Sequence, residues 1–365
     1  MTAQLATEVA PSSRVPFDPG VTEVEVARAV ELSRDYEQRR ADRVSAQRRA
    51  QHEMLEAATR RRAEIFGADG AFGLQQVQRS LRYRDAVQQA ARGRQDPNEA
   101  AAARRKELAD YLRDHDIDRA QFHEYVNDLR KIFKPFPTPD WSGDAGTMDY
   151  GGSAVPAGLQ ISHFTPPFTG WQHGWGPGLV SGFRVNATAL LDANAGQVGN
   201  IVTLDDDDAS DLDAGSMDSD TQIAFWYQVP MTGLVEVTIN AVCGKSLHSL
   251  RVYDEWGVSW SKVTQTSSFM SHVLHANVAA PSYSFLSRLD HDKDTSTSRD
   301  ETPFWPGQYV QSSPMVSDGP VPAGTNVVIR AGAHTGDGAL TNDMEVHSAS
   351  THSWFISRVD VRMLA

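Results

Sequence analysis

The 365-residue sequence reads as α + β in separate domains: an N-terminal helical hairpin or bundle with one long helix, then a C-terminal antiparallel β-sandwich, jelly-roll-like. Three observations predict this. Residues 21–134 balance 23 Lys+Arg against 20 Asp+Glu, whereas 135–365 carry 10 against 25, and all eight Trp lie in that second part. From 21 to 66 there is neither Pro nor Gly, and Ala, Arg, Glu and Gln dominate. Beyond 135, short runs rich in Val, Ile and aromatics alternate with Gly, Pro, Asp and Ser, which is strand spacing. The expected parts are an extended arm (1–20), a helical domain (21–134), a Pro/Gly-rich linker (135–160) and the sandwich (161–365).

The arm holds Pro11, Pro16 and Pro19 among small polar residues, a composition that reaches rather than folds. The stretch from Val21 to Phe66 predicts one helix of about 65–70 Å at 1.5 Å per residue. Its apolar positions are sparse, but Val44, Leu55 and Phe66 recur every eleven residues, a seam that needs a partner inside the chain or on another subunit. Gly67, Gly70 and Gly73 end it, and Leu74, Val77 and Leu81 start a second stripe running to about Arg92. Asp96-Pro97 with Glu99 marks a third helix to about Arg113. Asp118 with Gln121 marks a fourth, with Ile117 placed to pack on Phe122 and a face of Phe122, Val126, Leu129 and Phe133. Lys134-Pro-Phe-Pro-Thr-Pro139 stops it and stiffens the spacer.

Strands are expected at Gln222 to Val229, Gly233 to Cys243, His248 to Tyr253, Val258 to Val263, Phe269 to Val278, Thr325 to Ala331 and Ser353 to Leu364. Between Gly233 and Val242 most apolar residues alternate with Glu236, Thr238 and Asn240, as expected of one buried and one wet face.

Composition excludes several classes. A net charge of −13 opposes nucleic-acid binding, which needs a concentrated basic surface. The single cysteine, Cys243, permits no internal disulfide and no cysteine zinc cage, and is expected to be buried in a strand. There is no apolar run of 18 residues, hence no transmembrane helix is expected. The first 20 residues are not a standard signal peptide. The expectation is a soluble protein, cytoplasmic or released without a cleaved signal.

Two constellations suggest binding. In Asp290 to Glu301, oxygens fall at positions one, three, five, nine and twelve: Asp290, Asp292, Asp294, Ser298 and Glu301. That spacing suits calcium, which takes six to eight oxygens from a turning loop. Thr295 stands where such a loop needs glycine, Lys293 and Arg299 bring cations close, and a plain polar loop is the competing reading. A denser tract, Asp205 to Asp208 with Asp211, Asp213, Asp218 and Asp220, lacks ligand spacing and reads as a wet, repelling surface. Trp171 and Trp175 sit in a glycine-rich stretch read as a loop, and Trp256 and Trp260 are four apart; such rings either stack on sugars or plug a core.

The residues favour a non-enzymatic structural or binding protein. Its helices would serve assembly, attachment to a protein partner or self-association, and its sandwich would recognise a ligand such as a glycan or a surface. The order of arm, long helix and β head resembles the general layout of fibre and spike proteins. The alternatives are a carbohydrate-active hydrolase using paired carboxylates, Asp254 with Glu255 or Asp343 with Glu345, and a helical toxin with a β receptor-binding domain.

Overall fold

The computed structural model describes residues 12–16, 18–67, 106, 109–110, 113–114, 118–132, 161–206, 212–254, 260–293, 296–342 and 344–365. The expected second helix (74–92), most of the third and the 135–160 linker lie outside these.

A three-residue strand β1 (Ser12–Arg14) precedes the helices α1 (Glu23–Phe66) and α2 (Arg119–Ile132). Then follow β2 (Ser162–Phe164), β3 (Gly170–Ser181), β4 (Phe183–Ala189), β5 (Gln197–Asp206), β6 (Leu212–Gln228), β7 (Leu234–Asp254) and β8 (Trp260–Leu274). The chain ends with β9 (Ser282–Lys293), β10 (Thr297–Glu301), β11 (Tyr309–Gln311), β12 (Met315–Val316), β13 (Asn326–Asn342) and β14 (Met344–Leu364).

Thr22 starts α1 with a reciprocal cap: the Glu25 N–H donates to Thr22 Oγ1 at 3.3 Å, and the Thr22 N–H donates to Glu25 Oε2 at 2.8 Å. Gly67, at φ 72°, ends the helix. The expected cap of α2 forms as well, since Asp118 Oδ1 accepts from the Ala120 N–H at 2.9 Å and Gln121 Oε1 from the Asp118 N–H at 3.2 Å.

Among the described residues the strands form two antiparallel sheets. One runs β1-β3-β6-β13-β8-β9; the other runs β10-β7-β14-β5-β4, with β11 and β12 added on β7 and β2 on β14. Several expected strands are fused. The expected strands over 233–243 and 248–253 are one strand, β7 (Leu234–Asp254), and the described parts of 258–263 and 269–278 are joined in β8 (Trp260–Leu274). The polar residues that were expected to break them turn inward instead: Ser246 Oγ meets His352 Nδ1 at 3.2 Å, and Gln265 Nε2 donates to Ser348 Oγ at 2.8 Å.

One core cluster joins Val235, Val237, Ile239 and Trp354 of the eight-stranded sheet to Ile223, Phe225, Phe269 and Ile329 of the six-stranded one. A second gathers Phe183, Val202, Leu204, Met217 and Val346. Along β5, β13 and β14 the residues between these clusters are polar and buried, among them Asn200, Asp337, Ser348 and Ser350.

The other face of the six-stranded sheet is covered by α1. Ala29 and Leu32 pack on Ala224, Trp226, Leu274 and Val328. Val44 lies against Gly176, and Phe66 meets Tyr125 of α2 edge-on at 5.6 Å between ring centroids. The eleven-residue seam thus finds partners within the chain, and the helical and β regions share a buried interface. Among the described residues no helix is long and apolar enough to cross a membrane.

Candidate functional site

Trp171 and Trp175 lie on a strand, not in the loop that their glycine-rich setting suggested. The glycines serve close approach: Gly174 and Gly176 are on the face of β3 that α1 covers, and a Cβ at Gly176 would stand 2.9 Å from Val44 Cγ2. Gln172, on that same face, bonds Glu37 of α1. Alternation therefore turns Trp171, His173 and Trp175 to the opposite face.

There the three rings form a ladder. Trp171 stacks on His173 with centroids 5.8 Å apart and planes 10° apart, and His173 stacks on Trp175 at 5.4 Å and 16°. Trp175 packs against the cluster around Phe183. Trp171 and His173 are half-buried and line an open pocket of about 660 Å³. Burial holds the His173 pKa below its usual value, which favours the uncharged ring.

The rim is polar. Arg14 of β1 lies directly across from Trp171 in the β1–β3 register. On the far wall, Asp192 Oδ1 accepts from the Asn194 and Ala195 N–H groups at 3.0 and 3.3 Å, shaping the turn that closes at Gly196. The site therefore sets aromatic surface beside a guanidinium, a carboxylate and Asn194, offering a ligand both apolar contact and hydrogen-bonding groups.

The other expected ligand residues are dispersed. Trp260 is buried at 1% exposure, its Nε1 donating to Asp292 Oδ1 at 2.7 Å, so it offers no ring to solvent. Trp256 lies outside the described residues. The supposed calcium loop is two strands in different sheets: Asp290 and Asp292 on β9, Ser298 and Glu301 on β10, with Asp294 outside the described residues. Their carboxylates are already paired, Asp290 with Arg288 at 2.6 Å, Asp292 with Lys262 at 3.8 Å and Glu301 with Arg299. Among the described residues no group of three or more His, Cys, Asp or Glu side chains could hold a metal ion. Of the supposed carboxylate pairs, Glu255 and Asp343 lie outside the described residues, and Glu345 is bonded to His347 at 2.8 Å.

The acidic tract is a correction too. Asp206, Asp213 and Asp220 are buried in β5 and β6. Asp220 belongs to an ionic network beneath α1 that the sequence reading missed. Its Oδ1 lies 2.6 Å from His334 Nδ1 and its Oδ2 lies 3.4 Å from Arg40 Nη2. Arg330 Nη2 donates to Ser33 Oγ at 2.6 Å, and Tyr36 packs on His272 at 4.4 Å. Burial lowers the Arg330 pKa to about 10. Ala29, Ser33, Tyr36, Arg40, Val44, Gln51 and Leu55 share one helical face, and that 3.6-residue rhythm was the available signal. Polar residues at the stripe positions hid it from a search for apolar periodicity.

No known protein family and no curated protein matches the chain. Among solved structures, the chain is similar to TmCBM61, determined in complex with β-1,4-galactotriose, at 9% identity. That match covers 46% of this chain and 88% of the other with a TM-score of 0.11, a likeness too low to carry any argument.

Proposed function

We propose that the protein is a non-enzymatic binding protein whose two sheets form a jelly-roll-like β-sandwich and whose ladder Trp171–His173–Trp175 recognises a saccharide. The observation that carries this reading is that Trp171 and His173 of the stacked ladder line an open pocket together with Arg14, Asp192 and Asn194. Trp171 and His173 present the apolar part of the lining to a sugar, and Arg14, Asp192 and Asn194 supply bonds for its hydroxyls.

The seam positions of α1 are occupied within the chain, which favours the β face over the helix as the recognition element. The helix then serves as a brace across the six-stranded sheet.

The test is a glycan array followed by titration calorimetry with the wild type and Trp171→Ala. Wild-type binding to at least one glycan, weakened at least about tenfold by the substitution with the melting midpoint unchanged, is the expected result. Equal affinity in both proteins removes the ladder from the site.

A further inference from the structure

We infer that the cleft selects saccharides bearing a carboxylate, with Arg14 of the N-terminal arm as the group that reads the charge. This rests on the saccharide reading of the cleft and names the substrate class.

Arg14 is exposed, directly opposite Trp171, and part of the pocket lining. Among the described residues it has no ion-pair partner, in a chain where 47 acidic residues face 34 Lys and Arg. A guanidinium left unpaired beside a half-buried indole holds a planar fork of donors at the edge of a stacking surface, which matches a uronic acid carboxylate two-pronged. The other charged residue of the lining, Asp192, spends one carboxylate oxygen on two backbone N–H groups of its own turn. It remains an acceptor for sugar hydroxyls on the wall away from β1.

The arm is anchored well enough to present Arg14. Trp226 Nε1 donates to the Pro16 carbonyl at 2.8 Å, and Gly170 has no Cβ because one would stand 2.6 Å from Pro16 Cδ. Strand β1 pairs with β3 over Ser12–Arg14. The N-terminal segment therefore completes one side of the cleft that the β region alone leaves open.

The experiment is calorimetric titration of the full chain with a uronic-acid oligosaccharide and with its carboxyl-reduced neutral counterpart. The wild type should bind the acidic form roughly tenfold or more tightly than the neutral one. Arg14→Gln should erase that preference, bringing the acidic form down to the affinity of the neutral one, Arg14→Lys should keep part of it, and Trp171→Ala should weaken both forms. Equal wild-type affinity for the two forms, or a preference that survives Arg14→Gln, overturns the charge-reading role while leaving saccharide binding intact. Failure of the wild type to bind either form overturns the selectivity; saccharide binding then stands only if another glycan still binds in a ladder-dependent way.

Discussion

His334 and Asp220 are bonded 2.6 Å apart on neighbouring strands, both buried under α1, and Arg40 of the helix approaches the same carboxylate. Burial alone would pull the His334 pKa down, but the bond to Asp220 and the charges of Asp220 and Asp218 raise it overall. Burial alone would raise Asp220, and Arg40 and His334 bring it below its usual value. The helix is thus clamped to the sheet by a charge from each side.

Removing one side of the clamp should cost more than removing both. Arg40→Leu leaves Asp220 buried with one partner, a loss of about 3–5 kcal/mol. Adding Asp220→Asn should restore part of that loss. Denaturant unfolding of the two single variants and the double variant checks it, and an Arg40→Leu protein within about 0.5 kcal/mol of wild type contradicts the clamp.

Acid should destabilise the fold through its buried neutral histidines. Burial lowers the His248 pKa from 6.5 to about 4. A histidine whose pKa is depressed by folding stabilises above its unfolded pKa and loses that contribution as pH falls, here between about 6.5 and 4. His272 and His352 shift in the same direction, chiefly through burial. Asp337, raised to about 7 by burial, works against them, because it favours the fold when protonated. The measurement is therefore a difference: the melting midpoint of His248→Gln should fall less steeply than that of wild type across this window. Parallel slopes would remove His248 as a source.

Space for α1 over β3 depends on Gly176. Gly176→Ala should destabilise by about 1–3 kcal/mol, because the branched Val44 side chain cannot turn away from the new methyl. Val44→Ala in the same chain should recover part of it. A Gly176→Ala protein as stable as wild type, by thermal melting, would show that the helix stands further off.

Much of the layout was legible in the residues. The α1 boundaries and the Asp118–Gln121 cap follow from local rules and appear as expected. Val235, Val237 and Ile239 are buried as the alternation predicts, but Glu236, Thr238 and Asn240, expected on a wet face, are buried as well, Glu236 paired with Arg362 and Asn240 bonded to Asp360. The ladder was half legible. Trp171 and Trp175 stood out by type, but Gly174 and Gly176 read as loop-formers because the helix above them was not foreseen. The ladder also needs His173, which no spacing rule marked. Strands β3, β4, β5 and β9 were not anticipated, and the residues of the calcium spacing fall on strands of two different sheets.

Local chemistry thus settled the ends of α1 and the cap of α2, because caps, glycines and side-chain period act within a few residues. Packing across the chain settled the rest: that α1 lies on the sheet, that Asp220 is an ion-pair partner and not a wet charge, and that Arg14 stands beside Trp171. Those outcomes depend on groups separated by more than a hundred residues in sequence, whose meeting is set by which sheet face remains to be covered.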